Sequence, residues 1–249
     1  GSWRGTGGRM GLETCARQIH HRGRLDFLKL ASDGRRVVTC SKIDKTAVVW
    51  KLGSRVDGEV LEVESVIKGL RASPAALGLD SRADVCVMVS EQGEGIAFSL
   101  RKGKVLFKFS LPGSGKQISV RHCGISREGD MIFVVRPIFN PSGGPVPPAR
   151  LIKCDKSVQR WKSIDLASEV NALSLSDDGL LLLTAGGVSG CLVAIWDVVG
   201  LHVVARLGKS LEVHSTVRDV CLFGGNSGER FVLVGKANGE LSVFEPVGI

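Results

Sequence analysis

The densest set of metal-capable side chains is His20 and His21, with Cys15 five and six residues before them. A structural or catalytic metal needs three or four ligands backed by groups that orient them, and no further ligand stands at matching spacing. A histidine at the entry to a strand is the better reading. His122 and His202 have no ligand partner in sequence either. Gly208-Lys209-Ser210 ends like a phosphate-binding loop, yet the glycine required five residues earlier is Val203. Gly113-Ser114-Gly115-Lys116 fails the same test at Ser110. Gly187-Val188-Ser189-Gly190 and Gly225-Asn226-Ser227-Gly228 approach a nucleophile elbow, but Cys191 and Glu229 stand where the last glycine belongs. Asp177-Asp178 are adjacent in a turn, as solvated caps rather than an acid/base pair. These residues amount to no catalytic, cofactor or metal constellation, and the chain is expected not to be an enzyme.

What positions these residues is a repeat. Short runs of strand-formers begin near Val37, Cys86, Met131, Leu181 and Phe231, at steps of 49, 45, 50 and 50 residues. Such a period marks units that bury their apolar faces only by stacking on neighbours. Each unit reads as three strands plus an outer strand leading to the next. The first holds LDFLKLA, RRVVTCS and AVVWKL, followed by VLEVESVIK. Ser32-Asp33-Gly34, Asp177-Asp178-Gly179 and Ala237-Asn238-Gly239 supply tight reversals between the runs. Antiparallel units of this period predict an all-β propeller.

Composition agrees. The chain has 249 residues, 32 Gly, 5% aromatic residues and no Tyr, which suits many strands and turns better than a helical bundle. Seven cysteines with no CxxC pair give neither a disulfide framework nor a zinc spacing, so a reducing, cytoplasmic compartment is expected. Residues 179–196 carry no charge, but glycines at their centre make them two buried strands and a turn. The net charge is +8, and residues 1–60 hold 12 Lys/Arg against 6 Asp/Glu. Without aromatics between the basic residues, a solvated face is favoured over nucleic-acid binding.

TCSKIDKTAVVWKL and LTAGGVSGCLVAIWDV resemble WD40 repeats, which place Thr/Ser on the second strand, Asp in the next turn and Trp on the third strand. The resemblance implies a buried network of His21 (or His20), Thr39, Ser41, Asp44 and Trp50, with one residue more than the pattern between Ser41 and Trp50. The fourth unit keeps Thr184, Trp196 and Asp197, with Gly190 at the turn aspartate. The fifth keeps His214 and puts Phe244 at the tryptophan position, and the second puts Phe98 there. PAALGLDSRADVCVMVSEQGEGIAFSLRKGKVLFKFSLPG, GISREGDMIFVV and NALSLSDDGLLLLTAGG are similar to the C-terminal WD40 propeller of BEACH-domain (neurobeachin-type) proteins.

The expected organisation is a flexible basic Gly-rich leader over 1–12, then a WD40-like propeller over 13–249. Its units cover about 13–59, 60–104, 105–157, 158–202 and 203–249, with a Pro/Gly loop insertion at 140–148. The family's usual seven blades imply a five-blade portion of a larger ring, the alternative being that the five units close by themselves, and residues 13–19 are a candidate outer strand that completes a blade. The implied function is a non-catalytic scaffold for protein–protein interaction in membrane trafficking or autophagy, beside a BEACH domain. A ubiquitin-ligase substrate receptor and an RNA-associated protein are the competing readings. Partners would be proteins held by rim loops, with Arg22, Arg24, Lys42, Asp44 and Arg218 as candidate contacts. No small-molecule substrate or cofactor is expected, and any membrane contact would be peripheral, on intracellular membranes.

Overall fold

A computed structural model describes residues 20–53, 61–80, 82, 84–114, 118–126, 128–138, 149–155, 160–166, 170–176, 178–186, 192–207, 216–224 and 230–245. The leader at 1–12, the strand expected at 13–19, the 140–148 loop and His214 lie outside them. The described residues form nineteen strands and no helix. The first sheet holds β1 (Phe27–Leu30), β2 (Arg36–Ser41), β3 (Thr46–Leu52) and β4 (Leu61–Ile67). The second holds β5 (Pro74–Leu79), β6 (Val85–Ser90), β7 (Glu94–Ser99) and β8 (Lys104–Ser110). The third holds β9 (Ile118–Ile125), β10 (Met131–Pro137), β11 (Arg150–Asp155) and β12 (Arg160–Asp165). The fourth holds β13 (Ala172–Leu175), β14 (Leu181–Gly186), β15 (Leu192–Asp197) and β16 (His202–Leu207). The fifth has β17 (Val217–Gly224), β18 (Arg230–Lys236) and β19 (Leu241–Phe244).

Every sheet is an antiparallel meander in chain order. The five make a five-blade β-propeller, consistent with a WD40-like fold. Sequence units and sheets are offset by one strand. The unit at 60–104, for example, opens on β4, the outer strand of the first sheet, and then supplies β5, β6 and β7 of the second.

Burial follows position in the blade. The second strands β6 and β14 are buried on both faces, and so they read as near-continuous apolar runs, VCVMVS and LLLTAG, whereas β18 in the fifth sheet alternates buried and half-buried residues. The outer strands β8 and β12 show an exposed or half-buried pattern and carry charges. Four apolar clusters join consecutive sheets. Val38, Cys40 and Val49 meet Leu77, Met88 and Phe98 between the first and second. Val87 and Ala97 meet Phe133 and Ile152 between the second and third. Ile132, Val134 and Leu151 meet Leu182 and Trp196 next, and Leu183 and Ile195 meet Val220 and Val232 last.

Among the described residues no such cluster joins the fifth sheet to the first. Cys221, Leu233 and Val243 lie directly opposite one another on the far face of the fifth sheet, exposed or half-buried. Near the axis the first strands converge, and glycine sets their approach. A Cβ on Gly78 of β5 would lie 2.9 Å from Cys123 Sγ of β9, and one on Gly124 would lie 2.7 Å from Leu175. The uncharged stretch at 179–196 contains β14 and most of β15, and no helix among the described residues is long and apolar enough to cross a membrane.

Candidate functional site

The first strands of all five sheets, with the segments that lead into them, surround a cavity of about 820 Å³. The side chains around it come from strand entries and from the turns after the second strands. Phe27 and Lys42 belong to the first sheet, and Ala75 and Glu91 to the second. Arg121, His122 and Arg136 belong to the third, Asn171 precedes the fourth, and Arg218 belongs to the fifth. One end of the propeller is therefore a composite surface that no single repeat could make.

Three of the first strands carry the same irregularity. Partner registers jump past Ala75 in β5, Arg121 in β9 and Arg218 in β17, leaving one extra residue on each strand. A one-residue bulge takes its side chain out of the ladder and re-aims it. All three bulge residues line the cavity, and two are arginines.

Lys42 is fixed by its backbone. Asp26 Oδ2 accepts the Lys42 N–H at 2.8 Å, and Asp26 Oδ1 accepts from Arg24 Nε at 3.0 Å. The Lys42 amide, with Arg24, holds the Asp26 carboxyl below its ordinary range despite desolvation. The Lys42 ammonium lies 5.7 Å from the Phe27 ring centre and 3.9 Å from Glu91. Arg218 and Lys42 thus both reach the cavity. Arg22 and Arg24 are exposed nearby but do not line it.

His122 on the same cavity wall is half-buried. Burial pushes the imidazole below its ordinary pKa, with Lys29 and Arg121 adding to the effect and the Val170 backbone and Asp219 opposing it. His122 is therefore uncharged at neutral pH. The neighbouring Cys123 thiol is pushed up to about 12 by burial, which makes it inert as a nucleophile.

Behind this rim lies a polar network in the first sheet. Trp50 Nε1 donates to Thr39 Oγ1 at 2.7 Å, and His21 Nε2 lies 2.9 Å from the same oxygen. His21 Nδ1 lies 3.2 Å from Asp44 Oδ2, which also accepts the Arg22 N–H at 2.9 Å. The threonine hydroxyl hydrogen therefore goes to His21 Nε2, which leaves Nδ1–H for the carboxylate. Burial pushes the Asp44 carboxyl upward, but the Gly23 and Arg22 amides and the His21 ring outweigh it and hold it below its ordinary range. Ser41 Oγ accepts the Asp44 N–H at 3.3 Å. His20 packs edge-on against Trp50.

In the fourth sheet Trp196 Nε1 donates to Thr184 Oγ1 at 2.8 Å. Asp197 does not join them; its carboxylate accepts the Gly200 N–H in the next turn. Phe98 and Phe244 face Cys86 and Val232, the places that Trp50 and Trp196 take opposite Val37 and Leu182. The ladder shifts register just before Trp50, Phe98 and Trp196 alike, so the bulky ring and the bulge recur together.

Among the described residues no three His, Cys, Asp or Glu side chains gather as metal ligands. What the rim can do is bind. Arg121 and Arg136 were not singled out by the sequence; the available signal was charge inside ISVRHCGIS and at the end of MIFVVRP, where an apolar residue would continue the pattern. Comparison with protein-family models and with curated proteins found no match.

Proposed function

We propose that this propeller is a non-catalytic WD40-type scaffold for protein–protein interaction, using the end at which the axial cavity opens. The observation that carries the reading is the composite rim: side chains from four sheets and from the segment that enters the fourth converge on one opening. The hydrogen-bonded set His21, Thr39, Asp44 and Trp50 supports the WD40 assignment, because the resemblance implies these residues. Kinship with BEACH-type propellers, and a role in membrane trafficking or autophagy beside a BEACH domain, rests on the sequence resemblance. Cys40, Cys86, Cys123 and Cys154 are buried free thiols, which supports a cytoplasmic location.

Affinity capture with the full chain and with a K42E/R218E variant tests the reading. A defined set of proteins should be retained by the parent chain and lost by the variant. Recovery of trafficking factors supports the finer assignment, whereas cullin adaptors or ribonucleoproteins would replace it. Identical recoveries from both chains would remove the rim from the proposal.

A further inference from the structure

The mouth of the cavity is strongly one-signed. Among the described residues Lys42, Arg121, Arg136 and Arg218 line it against a single carboxylate, Glu91, which sits at 3.9 Å from Lys42. Among the described residues Arg121 and Arg218 have no carboxylate within ion-pair reach, and both are exposed. Lys29 adds positive potential, since it acts on both His122 and Cys123. Asp219 opposes this at His122, but it does not line the cavity. Guanidinium groups suit the paired oxygens of carboxylates and phosphates, and cations converging on a concave site focus attraction for anions.

We propose that the axial cavity receives an acidic or phosphorylated peptide segment of a partner protein, held by Arg121, Arg218, Arg136 and Lys42. The bulges at Arg121 and Arg218 are the devices that turn two strand residues into ligands for this segment. The cavity is of pocket size and too small for a nucleic-acid duplex. Among the described residues Phe27 and His122 are the only rings on its wall, and the Lys42 ammonium lies 5.7 Å from the Phe27 centre, so the wall lacks the run of aromatic residues on which a single strand of RNA stacks its bases. Apolar wall residues such as Ile118, Val120 and Val217 suit the side chains between the charges of a peptide. This inference rests on the scaffold reading and names the chemistry of its ligand.

Fluorescence anisotropy with the full chain tests it, using labelled peptides of equal length that are Glu-rich, phosphoserine-bearing or neutral. The anionic peptides should bind, the neutral one should not, and added salt should weaken the complex. R121Q/R218Q should weaken binding by about tenfold or more with an unchanged melting temperature, and R160Q on the outer strand β12 should have no effect. The relative affinity of the two anionic peptides identifies carboxylate or phosphate as the preferred group. Tighter binding of inorganic tripolyphosphate than of either peptide would make a small polyanion the ligand, and tighter binding of single-stranded RNA would make it a nucleic acid; each result overturns the proposal. So would equal binding of the neutral peptide, or full binding by R121Q/R218Q. Protein capture that persists while no anionic peptide binds would remove this inference and leave the scaffold reading standing.

Discussion

Trp50 donates its indole N–H to Thr39 Oγ1 at 2.7 Å, and the threonine in turn couples through His21 to Asp44. Thr184 receives the equivalent bond from Trp196, but among the described residues it has no second partner. Replacing Thr184 with Val should leave one buried donor unpaired and cost about 1–3 kcal/mol. The same change at Thr39 leaves two groups unpaired and should cost more. Urea unfolding checks the order: both midpoints fall, Thr39→Val further, with unchanged slopes. An equal fall in the two variants would mean that the His21 and Asp44 contacts add nothing to stability.

Acid should weaken the same corner of the first sheet. Asp44 and Asp26 both titrate below their ordinary value of 3.8 in the folded chain. A carboxyl whose folded pKa is depressed stabilises the fold above the unfolded value, and that contribution disappears as pH falls through the depressed one. The advantage of the parent chain over D44N should therefore be full at pH 7 and shrink below about pH 4. Melting temperatures from circular dichroism across that range check this. A gap that persists unchanged at pH 3 would contradict it.

Much of the blade was legible because each repeat states it redundantly. VCVMVS and LLLTAG are apolar on both faces because neighbouring blades cover both faces of these second strands, and VVTCS is apolar toward the second blade at Val38 and Cys40. Lys42 and Arg218 were visible at the rim because a turn and a strand entry have recognisable residue chemistry. Arg121 was not, because it stands inside the run of β9 rather than at its entry, and only a register jump between strands, which no local preference reveals, takes it out of the ladder. Asp197 follows Trp196 as the WD40 pattern has it, yet its carboxylate accepts the Gly200 N–H and caps the turn after β15. The extra residue between Ser41 and Trp50 is accommodated in a turn where Lys45 takes a φ of 54°.

Lys153 is a buried cation between the third and fourth sheets. Its ammonium lies 2.9 Å from Asp130 and donates to the Val198 carbonyl at 2.8 Å, with only 6% of the side chain exposed. Removing the charge of one partner strands the other in a dry interface. D130N should cost about 3–5 kcal/mol. D130N/K153M should recover part of that loss, since a methionine fills the space without a charge to desolvate. Denaturation midpoints of the two single variants and the double variant give the coupling. Simple additivity would show that the pair contributes no mutual energy.

Thiol labelling reads the packing between sheets directly. Cys40 and Cys86 lie between the first and second sheets, and Cys123 and Cys154 between the second and third. Burial raises all four thiols, those of Cys40 and Cys123 to about 12, so each is protonated and shielded at pH 8. Cys221 is exposed on the outward face of β17. Brief treatment of the folded chain with iodoacetamide should modify Cys221 and spare these four, which react only after denaturant is added. Peptide mass spectrometry locates the modification. Labelling of Cys40 or Cys86 as fast as Cys221 would mean that the first two sheets separate readily. Protection of Cys221 that grows with protein concentration would show that the open face of the fifth sheet is buried by self-association.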